Sequence, residues 1–152
     1  MRSIPRSQHN PQFNRENLPA KLRAPGTRYV YLRKLGGLRH ARRDSMNLGW
    51  RNSSFRGFAD YRDTQEFEEG FERLVKLARG KRCALMCAEA VPWRCHRSLI
   101  ADALVMRRIS VEHIMSGKRR QKHWLTPFAK VEQMRITQPI DTVTPLPRAE
   151  PF

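Results

Sequence analysis

The stretch that decides the predicted fold is Arg82-Cys-Ala-Leu-Met-Cys-Ala-Glu-Ala-Val-Pro-Trp-Arg-Cys-His-Arg-Ser-Leu-Ile-Ala-Asp-Ala-Leu-Val-Met-Arg107. Residues 82–87 are mostly apolar and predict a buried strand. The run after His96 has helical spacing and predicts a helix over 97–107. A strand, a polar loop and a helix form the unit that places ligands at the carboxyl ends of parallel strands. The stretch therefore predicts an α/β domain with its site in this loop.

The flanking segments supply further predicted elements. Ahead of the loop we expect a helix over 14–23, a strand over 28–32, an irregular excursion over 39–54, a short helix over 55–61, and a long helix that Asp63 caps and Gly80 ends. After it we expect a strand over 109–114 and a helix over 124–131. A helix between two strands implies a right-handed crossover and a parallel sheet.

The chain length fits one domain, since 152 residues with 39% hydrophobic content can bury a modest core. We predict a single α/β domain over 1–134. The last fourteen residues hold four prolines and no periodicity. We therefore predict a disordered tail over 135–152.

The charge balance is strongly basic. Thirty lysines and arginines against fourteen aspartates and glutamates give a formal charge of +16. A field of this sign suits a polyanion such as nucleic acid. Charge spread evenly over a soluble protein explains it equally well, because the arginines are scattered.

Three cysteines lie close together, and the chain shows neither a secretory leader nor an apolar run of about 18 residues. This pattern favours free thiols in a reducing compartment. We therefore expect a cytoplasmic protein that does not enter a membrane.

The central loop holds six candidate residues, which admit four hypotheses: Cys87, Glu89, Arg94, Cys95, His96 and Arg97. The first is an anion cradle, in which backbone N–H groups at a helix start act with two guanidinium groups. The second is thiol catalysis, in which a cysteine beside arginine and histidine becomes a thiolate nucleophile. Cysteine-dependent phosphatases and sulfurtransferases resemble this order of groups, but their spacing differs.

The other two hypotheses are a metal site and a purely structural network. Cys83, Cys87, Cys95 and His96 form a possible zinc set, but they lack a Cys-x-x-Cys pair and adjacent residues rarely reach one ion. We therefore assign no metal ligand and expect no cofactor. In the structural hypothesis, Glu89 pairs with Arg94 or Arg97 without any catalysis.

Residues outside the loop are weaker candidates. Gly36 and Gly37 form either a plain turn or a close approach of backbone to a ligand. His113 ends a predicted strand at the same edge as Cys87, so it either joins the site or is a satisfied core histidine. His9, His40 and His123 are expected at the surface or in loops.

Residues 85–97 resemble the signature of a bacterial family of domains of unknown function, family 488. The segments 2–13, 55–61 and 113–114, and Tyr29 with Leu35-Gly36-Gly37, match further blocks of that family in the same order. The resemblance implies a Rossmann-like three-layer sandwich with a mainly parallel sheet, and no established activity. It also implies that a strand–helix–strand unit is missing before Arg2, so we expect an N-terminally truncated member.

Together, these observations predict a pocket that binds or acts on an anionic ligand such as a nucleotide, a nucleic acid or a phosphorylated small molecule. The expected catalytic residues are Cys95, His96, Glu89 and Cys87, with a cysteine as nucleophile and Glu89 or His96 as general base. The expected ligand-binding residues are Arg2, Ser7, Asn10, Gly36, Gly37, Arg94 and Arg97. A non-catalytic nucleic-acid-binding protein and a structural ion-pair network are the alternatives. The sequence does not predict the oligomeric state.

Overall fold

The computed structural model describes residues 6, 8–23, 25–89 and 91–140. This part contains four α-helices: α1 (Leu18–Arg23), α2 (Ser53–Tyr61), α3 (Gln65–Gly80) and α4 (Arg97–Met106). Short 3₁₀ helices span Pro11–Phe13, Arg33–Leu35 and Pro92–Arg94. Four strands follow α4: β1 (Glu112–Ile114), β2 (Arg120–Lys122), β3 (Lys130–Glu132) and β4 (Arg135–Thr137). No helix in the described ranges is long and apolar enough to cross a membrane.

The predicted Rossmann-like sandwich with a parallel sheet is wrong. Over the described residues, the strands form two separate antiparallel pairs, β1 with β2 and β3 with β4. Residues 28–32 and 82–87 form no strand. A parallel strand is normally covered on both faces, whereas residues 81–84 are exposed and the core contact of this segment is Leu85. The apolar run therefore borders the core instead of crossing its centre.

The helices that carry a clear apolar stripe were predicted well. Helix α3 ends at Gly80 as expected, but its cap is Thr64, whose Oγ1 accepts a hydrogen bond from the Phe67 amide at 3.2 Å. Helix α2 begins at Ser53 because the Asn52 side chain accepts hydrogen bonds from two amides of its first turn. Helix α4 lies where the sequence placed it.

The elements after α4 differ from the prediction. Part of the predicted strand over 109–114 becomes β1, which pairs with β2 in a hairpin. The predicted helix over 124–131 is replaced by a turn and β3. The predicted tail over 135–152 starts with β4, and Gln138 is fully buried. Residues 141–152 lie outside the described part, so the domain limits stay a prediction.

The core is built from helices packed directly against one another. Phe58 of α2 and Leu99 and Ile100 of α4 are fully buried, together with Leu35. The predicted stripe of α3 joins them through Phe67, Phe71 and Leu74. Since these side chains form one contiguous cluster, the helices take the place that a central sheet has in an α/β sandwich.

A buried carboxylate fixes the irregular excursion between residues 39 and 52. Asp60 accepts hydrogen bonds from Ser45 Oγ at 2.6 Å, Asn47 Nδ2 at 2.8 Å and the Arg42 amide at 2.9 Å. The side-chain oxygen of Asn47 in turn accepts a hydrogen bond from the backbone N–H of Gln138 at 2.9 Å. One side chain of α2 therefore anchors two segments that have little regular structure.

Replacing Asp60 with alanine should lower the free energy of unfolding by about 3 kcal/mol, because two buried donors and one partly buried donor lose their acceptor. Urea denaturation followed by circular dichroism would measure the change. Asp44→Ala is the matched control, since Asp44 is exposed and pairs with Arg42 at the surface. Equal midpoints for the two variants would contradict the anchoring role.

Candidate functional site

The loop before α4 places Cys95 in the interior. The 3₁₀ helix Pro92–Arg94 turns the chain inward, and the Cys95 amide donates to the Pro92 carbonyl at 3.0 Å. Cys95 is 1% exposed. Its Sγ accepts hydrogen bonds from the backbone amide of Arg97 at 3.4 Å and from the Arg97 Nε at 3.2 Å. The sulfur therefore lies at the start of α4, between a backbone donor and a guanidinium.

Cys87, Cys95 and His96 form one cluster of donor atoms. One ligand-type atom from each residue lies within 4.8 Å of the other two. Cys87 is half-buried, whereas Cys83 is exposed and stands outside the cluster. These three donors are the residues that could hold a metal ion, although a tetrahedral site needs a fourth ligand.

The two clustered thiols shift each other's pKa in opposite directions. The neighbouring Cys95 thiol, with smaller contributions from His96 and the Glu89 backbone, lowers the pKa of Cys87 against the effect of burial. The same contact with Cys87, together with burial, raises the pKa of Cys95. These opposite shifts favour the loss of a proton from Cys87 before Cys95.

His96 is wedged between two other parts of the fold. Its ring centroid lies 4.9 Å from that of Phe58, and its Nδ1 lies 3.8 Å from Cys95 Sγ. A Cβ added to Gly37 would lie 2.2 Å from the same Nδ1. Its Nε2 is buried and has no hydrogen-bond partner among the described residues. Gly37 is thus a site of close packing against His96, and Gly36 beside it is buried.

Arg97 ties the cluster to the loop that carries Glu89. Its Nη2 donates to the Glu89 backbone carbonyl, whereas the structural hypothesis expected a pair with the carboxylate. The Glu89 side chain instead lines a surface cavity of about 480 Å³. That cavity is lined by two tryptophans, two arginines and three further residues: Trp50, Arg51, Asn52, Phe55, Glu89, Trp93 and Arg94.

The predicted site residues are thus divided between two neighbouring places. Cys87, Cys95, His96 and Arg97 meet in the cluster, with Gly37 against it. Glu89 and Arg94 line the cavity. Asn10 lies in an exposed segment, where its side chain accepts a hydrogen bond from Gln12 at 3.2 Å. Arg2 and Ser7 fall outside the described residues.

Sequence reasoning missed a second buried polar network behind α4. Asp102 is fully buried and accepts hydrogen bonds from the Thr126 amide at 3.0 Å and the Thr126 hydroxyl at 2.8 Å. His123 Nε2 lies 2.9 Å from Asp102 Oδ1, and His123 Nδ1 lies 2.9 Å from His113 Nε2. Asp102, His123 and His113 therefore form one continuous chain of polar contacts behind α4.

His123 lies in a loop, which is one of the two expected settings, but it is buried and not at the surface. Burial, with smaller contributions from His123 and Arg97, lowers the pKa of the half-buried His113. The signal in the sequence was Asp102, an acidic residue on the apolar face of a predicted helix.

Comparisons with known proteins place the chain in one family. The family model DUF488, described as a domain of unknown function, matches residues 1–104. The matched range includes Gly37, α2, α3, the cysteine loop and most of α4. No curated protein and no solved structure matches the chain.

Replacing Gly37 with alanine should destabilise the protein by about 2 kcal/mol, because the new methyl group overlaps the His96 ring. Gly80→Ala is the matched control, since nothing lies within 4 Å of its added Cβ. Urea denaturation would compare the two. A Gly37→Ala midpoint at or above that of Gly80→Ala would contradict the packing of His96 against this glycine.

The alkylation rate of Cys87 should change little between about pH 8 and pH 5, because a lowered pKa keeps the thiolate populated as the pH falls. A peptide thiol with an ordinary pKa of about 8.5 slows about tenfold per pH unit over the same range. Iodoacetamide labelling with peptide mass spectrometry would measure both.

The control for this experiment is Cys95→Ala, which removes the thiol that lowers the pKa of Cys87 most. Its labelling should become more dependent on pH. A wild-type rate that falls in parallel with the peptide would show that Cys87 carries no stabilised thiolate.

Proposed function

The chain belongs to the DUF488 family of domains of unknown function, and we propose that it binds an anionic ligand with a planar ring, of the nucleotide class, in the cavity beside its thiol cluster. The observation that carries this proposal is the lining of the cavity, which sets Trp50 and Trp93 beside Arg51 and Arg94. Tryptophan faces stack on bases, and guanidinium groups bind phosphate through paired hydrogen bonds.

The size and exposure of the cavity fit such a ligand. Its volume of about 480 Å³ lies in the range of small-molecule sites. Trp93 is 62% exposed, and an exposed aromatic ring beside polar groups is typical of a binding surface. Trp50 is held more firmly, because it stacks on Phe55 at 4.9 Å and meets the edge of Phe128 at 4.9 Å.

The charges in the cavity indicate how the ligand would be oriented. Neither Arg51 nor Arg94 forms an ion pair within the described part of the chain. Both guanidinium groups are therefore available to a phosphate. Glu89 would repel that phosphate, so its carboxylate suits the hydrogen-bond donors of a base or a sugar. The overall charge of +16 favours the approach of an anion.

If the bound ligand reacts, the different burial of the candidate groups favours one nucleophile and one general base. Cys87 is the better nucleophile, because it is half-buried whereas Cys95 is enclosed. Glu89 is the better general base, because it is exposed in the cavity whereas His96 Nε2 is buried. Arg97 is a positioning residue, since it contacts Cys95 and the backbone of Glu89. A binding protein without catalysis needs none of these roles.

Adenosine monophosphate should bind the wild-type protein, and Trp93→Ala and Arg94→Ala should each weaken that binding about tenfold, the loss expected for one stacked base or one charged contact. Isothermal titration calorimetry would measure the affinities. Trp124→Ala is the matched control, since Trp124 is 71% exposed outside the cavity and its loss should leave the affinity unchanged.

A short oligothymidylate and inorganic phosphate complete the experiment. Tighter binding of the oligonucleotide, with a steep dependence on salt, would identify a nucleic-acid strand as the ligand. If inorganic phosphate binds as tightly as adenosine monophosphate, the tryptophans contribute nothing to binding and the ring is not recognised. Equal losses in Trp93→Ala and Trp124→Ala, or no binding of any of the three probes, would contradict the proposal.

A further inference from the structure

The two clustered thiols differ in a way that nucleotide binding does not use. Cys87 and Cys95 bring their sulfurs within 4.8 Å of each other. Cys87 is accessible from solvent in part, whereas Cys95 is buried. We propose that Cys87 and Cys95 are a redox pair, in which Cys87 reacts with a hydroperoxide and Cys95 closes an intramolecular disulfide.

The fold permits the movement that the disulfide requires. Two sulfurs must approach to about 2.05 Å, so one of them must shift. Residues 82–89 carry no helix or strand, and therefore no ladder of backbone hydrogen bonds holds Cys87 in place. Cys95 is fixed instead, since it lies between the 3₁₀ helix Pro92–Arg94 and α4. Cys87 can therefore move toward a stationary partner.

The first step oxidises Cys87. Its thiolate attacks the terminal oxygen of the hydroperoxide, so an S–O bond forms and the O–O bond breaks. The departing oxygen takes up the Cys95 thiol proton and leaves as an alcohol, or as water when the oxidant is hydrogen peroxide. Cys87 becomes a sulfenic acid, its sulfur is oxidised by two electrons, and the peroxide is reduced by two.

The second step uses the thiolate left on Cys95. Arg97 donates to this sulfur through its backbone amide and its Nε, and both donors stabilise negative charge there. The Cys95 thiolate attacks Cys87 Sγ, so an S–S bond forms and the S–O bond breaks. The hydroxide that leaves takes a proton from solvent and becomes water. A small-molecule dithiol returns the pair to its starting state by exchange.

The arrangement of Arg97 is the observation that distinguishes this pair from a chance contact. A buried thiol that only fills space needs no donor aimed at its sulfur. Here the buried sulfur of Cys95 receives two donors from Arg97. Those donors have their full effect once Cys95 has lost its proton, which is the state that closes the disulfide.

The reduced full-length protein, treated with one equivalent of hydrogen peroxide, should lose two hydrogen atoms in intact-mass measurement and regain them with dithiothreitol. Peptide mapping should place the bond between Cys87 and Cys95. Cys83→Ser is the matched control, because Cys83 is an exposed thiol outside the cluster, and its oxidation should match the wild type.

The two clustered cysteines should fail in different ways. Cys95→Ser should stop at a sulfenic acid on Cys87 that dimedone traps, whereas Cys87→Ser should form no disulfide. Arg97→Gln retains a polar side chain and should slow disulfide closure more than it slows sulfenic acid formation. A mixture of Cys83-linked dimers, or a Cys83→Ser variant without any disulfide, would overturn the proposal. So would stoichiometric zinc that must be removed before the thiols react, since it would mark a metal centre.

Discussion

The contact of His96 with Gly37 and Phe58 is the constraint on which the site depends. The His96 ring fills the space that a side chain at Gly37 would occupy, and it packs on Phe58 in the centre of the core. Because His96 is adjacent to Cys95, this contact sets where the thiol loop enters α4. The cavity lined by Trp50 and Trp93 and the thiol cluster share the loop and therefore share this anchor.

Two buried carboxylates anchor the loops of this fold, a role that a central sheet has in many other folds. The described strands are three residues long and form two small pairs, so they cannot organise the loops. Asp60 anchors the irregular segment before α2 through hydrogen bonds from Ser45 and Asn47. Asp102 anchors the segment after β2 through its contacts with His123 and Thr126. Each carboxylate accepts three hydrogen bonds, which offset the cost of burying its charge. Their helices thereby fix chain segments that are distant in sequence.

The sequence predicted what local patterns control and missed what distant partners decide. The helices α3 and α4 and their apolar faces were predicted correctly because helical spacing is visible within one segment. The prediction of a strand over 82–87 was wrong because a short apolar run does not show whether a neighbouring strand exists to pair with it. Cys87, Cys95 and His96 were proposed as one group because they lie in one loop of the sequence. Gly37 was a candidate because it follows Gly36, and two adjacent glycines allow close packing. Trp50 and the Asp102–His123 contact were missed because their partners come from elsewhere in the chain.

A trivalent arsenical tests whether the folded chain holds Cys87 and Cys95 as a pair. Phenylarsine oxide bridges two thiols that lie close together. The reduced native protein and the Cys83→Ser variant should each bind one arsenic per chain, and Cys87→Ser and Cys95→Ser should bind none. Arsenic binding that persists in the Cys87→Ser variant, or that appears only after denaturation in urea, would show that the folded chain does not hold the two thiols as a pair.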